Sequence, residues 1–175
     1  MAEIRSTLDL IMERTKNLTL TEEEKAAFHR RELEDKVRGW VGRYREGLIG
    51  IEEIEGNMKE NRTEEDLIRE LLQKEILQNI DPDENSNMGS DNMNGKLLKL
   101  LSAFGGTDTE PVIRRLAAYR KDVERQRGHY ADNALEKLKA KGIHGSAVIP
   151  NLEKDTAWTS WRASCRDDFM KSLSP

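Results

Sequence analysis

Leu33, Val37, Trp40, Tyr44, Leu48, Ile51, Ile54 and Met58 follow one another at spacings of 4, 3, 4, 4, 3, 3 and 4. That rhythm is helical, and it places eight apolar or aromatic side chains in one stripe. Glu34, Asp35, Arg38, Arg45, Glu52 and Glu53 fall off the stripe. One helix over residues 21–59 would be about 58 Å long at 1.5 Å per residue. A ridge of that length needs a neighbour to cover it, and this requirement limits the chain to elongated, helix-on-helix solutions. Gly39, Gly42, Gly47, Gly50 and Gly56 lie within the same stretch, each costing about 1 kcal/mol against Ala. The preferred reading is one long helix with a bend, its glycines letting another backbone approach. A break around Gly47–Gly50 is the alternative.

Further helical segments surround this spine. Ile4, Leu8, Ile11 and Met12 mark a short amphipathic helix near the start. Thr21 and Glu24 form a capping box for the long helix. A third segment opens at Thr63 and carries a wide face of Leu67, Ile68, Leu71, Leu72, Ile76, Leu77 and Ile80. It stops at Asp81-Pro82, and residues 81–95 have the Asn, Asp, Ser and Gly content of a mobile polar loop. A short helix follows over "KLLKLLSAF". The second long helix, 110–141, opens at Thr109-Glu110-Pro111. Its buried face is read as Ile113, Leu116, Tyr119, Val123, Tyr130, Ala134 and Leu138, and Gly142 stops it. Trp158, Trp161, Cys165 and Phe169 dock a last helix that begins near Asp155. No stretch alternates with period two for long enough to make a sheet. The expected fold is all-α, an elongated helical bundle on two long antiparallel helices, about 21–59 and 110–141, with shorter helices packed on them. One domain over 1–175 is expected.

Composition fits such a bundle. Charged residues make up 35% of the 175, and Leu, Ile, Val and Phe only 38 residues, about 22%. So thin a core suits extended helices or an oligomer that completes it. Residues 1–95 carry 23 acids and 14 bases, a net of −9, against 10 acids and 15 bases, a net of +5, in residues 96–175. These opposite signs can attract within one chain or between two. Cys165 stands alone, which excludes an intrachain disulfide. Charges interrupt the opening segment, as a signal-peptide core forbids, and no uncharged run has the roughly 20 residues of a membrane span. A soluble cytoplasmic protein with no membrane contact is expected.

Several patterns imitate chemistry. In "KAKGIHGSAVIPNLEKDTAW" the pair His144 and Ser146 suggests a hydrolase or transferase. Two residues' separation in a loop does not supply the base, orienting group and oxyanion donors such chemistry needs. Gly142 is explained as a helix stop, and Ala147-Val148-Ile149-Pro150 as an extended apolar segment pinned onto the helices. Asp81, Asp83, Asn85 and Asn87 alternate as in an EF-hand loop, but Ser86 and Asn92 stand where Gly and a bidentate Glu belong. His29, His129 and His144 lack the Glu-x-x-His register of di-iron bundles. Arg162 and Arg166 beside Cys165 would lower a thiol's pKa, whereas its place in the aromatic stripe argues for a buried structural role. No catalytic residue, cofactor or metal is assigned.

Arg114, Arg115, Lys121 and Arg125 form a basic arc on the second long helix, the basis of a nucleic-acid alternative. Interspersed acids and the absence of aromatics on that face weigh against it. The stretches "STLDLIMERTKNLTLTEEEK" and "GSAVIPNLEKDTAW" resemble a small family of uncharacterised bacterial proteins of similar length. That resemblance implies a single bacterial cytoplasmic domain and no activity, cofactor or site. The expected function is non-enzymatic: protein–protein interaction as an adaptor or scaffold, with a protein partner or a second copy held through Trp40, Tyr44 and Leu48.

Overall fold

The computed structural model describes residues 21–84, 92–104 and 108–173. Among them there is no strand, and the fold is an all-α bundle. Its helices are α1 (Glu22–Arg45), α2 (Ile51–Glu60), α3 (Glu65–Gln78), α4 (Met93–Phe104), α5 (Glu110–Ala140) and α6 (Thr156–Leu173), with 3-10 turns at Arg62–Glu64 and Leu152–Lys154. The chain forms two compact units, Met1–Lys36 and Val37–Pro175, with the boundary inside α1. The helix expected around Ile4 to Met12 lies outside the described residues, as do residues 85–91 of the polar stretch.

In the first unit the capping box forms as read. The Thr21 amide donates to Glu24 Oε2 at 2.8 Å, and the Glu24 amide donates to Thr21 Oγ1 at 3.2 Å. Leu33 is buried while residues 22–32 are exposed throughout.

The single helix expected over 21–59 is instead two, α1 and α2. Gly47 adopts φ 76°, the left-handed conformation that favours glycine. Its amide donates to Tyr44 O at 3.0 Å, and the Leu48 amide to Arg43 O at 2.9 Å. This is a Schellman motif, which satisfies the last carbonyls of α1 and turns the chain. The same motif ends α5, where Gly142 has φ 80° and the amides of Gly142 and Ile143 reach Lys139 O and Leu138 O. The break re-phases the apolar stripe. Val37, Val41, Ile49, Ile54 and Met58 are buried, Trp40 and Tyr44 are half-buried, and Leu48 is 65% exposed. Nor do the glycines admit a close backbone, since a Cβ at Gly39, Gly42 or Gly56 would meet nothing within 4 Å.

The core of the second unit centres on short α3, with the most extensive helix pairs being α3–α4 and α5–α6, rather than the two long helices. Ile68, Leu71, Leu72, Ile76 and Leu77 of α3 are buried, with Leu97, Leu100, Leu101 and Phe104 of α4. Each such side chain contributes about 1.5–3 kcal/mol by leaving water. Thr63 does not cap α3; Glu64 stands at its N-cap position without a side-chain cap bond. Along α5 only Val112, Leu116 and Tyr119 are fully buried, and Ile113, Val123, Tyr130, Ala134 and Leu138 are half-covered. Asp155 caps α6, accepting from the Ala157 and Trp158 amides at 2.9 and 3.1 Å. Ile149 is not pinned onto the helices: it is 87% exposed, and Leu152 is the buried anchor of that segment.

Candidate functional site

The chain after α3 reads Asp81-Pro82-Asp83-Glu84, and every residue of it is employed. Proline ends the helix, and Pro82 is buried. The Asp81 amide donates to Asn94 Oδ1 at 3.0 Å, and Asn94 Nδ2 returns a bond to Asp81 O at 2.7 Å. Asn94 is only 3% exposed, so this reciprocal pair satisfies a buried amide. Both Glu84 carboxylate oxygens accept, one from the Met93 amide at 2.8 Å and the other from the Asn94 amide at 2.9 Å. An anion at the first turn of α4 caps it and meets its dipole. The stretch expected as a mobile loop over 81–95 is therefore structured at both ends, and α4 starts at Met93.

Asp83 ties this corner to α5 and α6. Its Oδ1 accepts from the Tyr119 hydroxyl at 2.9 Å and faces Arg162 at 3.3 Å; its Oδ2 faces Arg166 at 3.5 Å. Arg166 also reaches Asp81 at 3.4 Å. Burial, followed by the hydrogen bond to Asp83, pushes the Tyr119 phenol well above its usual range. Cys165 is raised too, first by burial and then by Asp122, Asp168 and Asp83. The lowering expected from Arg162 and Arg166 does not occur, and both guanidinium groups face Asp81 or Asp83. Asp81 and Asp83 accordingly hold guanidinium groups, and among the described residues no cluster could hold a metal ion.

Beside this corner lies a cleft of about 1000 Å³ between α5, α6, residues 82–84 and residues 149–153. Arg120, Val123, Glu124 and Arg127 of α5 form one wall; Ile149, Leu152 and Trp158 contribute the apolar part opposite. Trp158 stacks on Trp161 with centroids 5.6 Å apart, and Tyr130 meets both edge-on or tilted at 5.6 and 6.5 Å. Such aromatic packing fixes α6 against the half-covered end of α5.

The residues singled out from the sequence lie elsewhere. Trp40 and Tyr44 sit one turn apart on α1, and Leu48 follows its stop. Arg114 pairs with Glu110 at 3.3 Å and Arg125 with Asp122 at 2.9 Å. Arg115 donates to Ser172 O, and Lys121 is exposed. None of these four lines the cleft. His144 and Ser146 are exposed in the turn after α5 and are likewise outside it. The corner built on Asp83, Tyr119, Arg162 and Arg166 was missed from sequence. Its only local signal was two arginines four apart on α6, which share a helix face. No family model, curated protein or solved structure matches the chain.

Proposed function

We propose that the protein is a non-enzymatic helical adaptor or scaffold that acts in the cytoplasm by self-association through the end of α1. The observation that carries this reading is that apolar side chains stay in water around the end of α1: Trp40 and Tyr44, one turn apart, are half-exposed, and Leu48 just beyond them is 65% exposed. Aromatic residues that keep part of their area in water are the usual anchors of protein interfaces. Burying one exposed leucine on association contributes about 2 kcal/mol. The Schellman turn presents Leu48 at a fixed position, so little chain entropy is lost when a partner covers it. Nucleic-acid binding through the basic arc is less well supported, because Arg114 and Arg125 already face carboxylates.

Sedimentation velocity across a concentration series tests the proposal. The chain is expected to form a dimer that dissociates on dilution, and Trp40→Ala combined with Leu48→Glu is expected to leave a folded monomer with unchanged helical circular dichroism. A wild-type chain that remains monomeric at every concentration would refute it.

A further inference from the structure

We propose that the cleft between α5 and α6 docks a mixed-charge amphipathic helix of a partner protein. The inference rests on the interaction reading above but concerns a separate surface. What the cleft offers is set by which of its charges are already spent. Both oxygens of Glu84 accept backbone amides. Both oxygens of Asp83 are held by Tyr119, Arg162 and Arg166, and Arg162 is further shared with Glu153 at 3.8 Å. Three charges on α5 remain. Arg120 donates only to the neutral carbonyl of Glu84 at 3.3 Å. Glu124 and Arg127 are exposed, and neither has an ion-pair partner among the described residues.

These three stand at i, i+4 and i+7, so they share one face and span about 10 Å of helix axis. Their order is positive, negative, positive. A polyphosphate strand meets Glu124 as a repulsion in the middle of the row, with Glu153 as a second one across the cleft. A protein helix carrying acid, base and acid at the same spacing meets all three with opposite charge. Opposite them, Ile149 is 87% exposed and lines the cleft with Val123 and Trp158. An aliphatic side chain on the incoming helix has its counterpart there. Charge order supplies register and the isoleucine supplies burial, as in helix-in-groove recognition.

The test uses the full chain and two fluorescein-labelled, alanine-rich helical peptides, read by anisotropy at low salt. One carries Leu with Glu, Lys and Glu at i, i+4 and i+7; the other has those three charges inverted. The first should bind more tightly, on the order of tenfold, and Ile149→Ser should weaken it. Arg120→Glu, Glu124→Lys and Arg127→Glu together should reverse the preference, which also demonstrates that the variant is folded. Should that variant fail to fold, Arg127→Glu alone, at an exposed position, should abolish the preference. Equal binding of the two peptides, no binding, or tighter binding of oligouridylate than of either peptide would overturn the proposal. The Trp40→Ala, Leu48→Glu variant should keep peptide binding; self-association that persists when neither peptide binds refutes the cleft proposal alone.

Discussion

Two glycines, one just past the end of α1 and one inside α2, show how far one residue's meaning depends on its backbone. Gly47 occupies a left-handed conformation, where an L-residue such as Ala is strained by roughly 1–2 kcal/mol. Gly56 lies in the interior of α2 with open space around its Cβ position. Gly47→Ala should therefore lower stability by about 1 kcal/mol, and Gly56→Ala should raise it by about 1 kcal/mol. Urea unfolding of the two variants checks both signs. Tyr119 gives a pH prediction. Its phenol and the Cys165 thiol bind their protons more tightly in the folded chain than in the unfolded one. Their contribution is therefore complete below the ordinary thiol and phenol range, about pH 8.5 to 10, and is lost as pH rises through and beyond it. Melting temperatures should fall on that alkaline limb, and Tyr119→Phe should flatten the fall while costing about 1 kcal/mol at neutral pH for the lost bond to Asp83. Local polar chemistry is readable from sequence where both partners are neighbours, as in the Thr21–Glu24 box. Asp83 is not, because Tyr119, Arg162 and Arg166 come from helices far along the chain, and nothing in "DPDE" names them.

At the level of elements, the apolar rhythm located the helices and misled about one boundary. The spacing from Tyr44 to Leu48 to Ile51 continues through the stop of α1, so the stripe looks unbroken although the backbone turns. Glycine after a basic last turn reads as a terminator at Gly142, where a second glycine, Gly145, and Pro150 follow and no helical apolar rhythm continues. At Gly47 the apolar rhythm continues through Leu48 and Ile51, which favours one bent helix and leaves the break around Gly47–Gly50 as the alternative. Burial reports the difference: Ile49 goes inside and Leu48 stays out. The wide apolar face of the segment from Leu67 to Ile80 correctly announced deep burial, and α3 does hold the core of its unit. Leu72, 1% exposed, should cost about 2–5 kcal/mol when changed to Ala. Chemical denaturation of Leu72→Ala should show that loss. A cost below 1 kcal/mol would mean that α3 is not the core element inferred from its packing.

For the molecule as a whole, composition set the bounds well and the pairing of helices poorly. A chain with few large apolar residues builds helices and leaves aromatic and aliphatic groups partly in water, here Trp40, Tyr44, Leu48 and Ile149. No helix among the described residues is long and apolar enough to cross a membrane. Which helices meet depends on long-range contacts that periodicity does not encode, so the expected pairing of the two long helices gave way to α3–α4 and α5–α6. The −9 and +5 halves of the sequence should make the proposed self-association sensitive to salt, through charges screened beyond roughly 10 Å at moderate ionic strength. Amide hydrogen exchange of the full chain, followed over serial dilution, reads the contact at residue level. Amides around residues 40–48 should lose protection as the chain is diluted, while those of α3 stay unchanged. Protection at 40–48 that is independent of concentration, in a chain that scatters light as a monomer throughout, would contradict self-association through the end of α1.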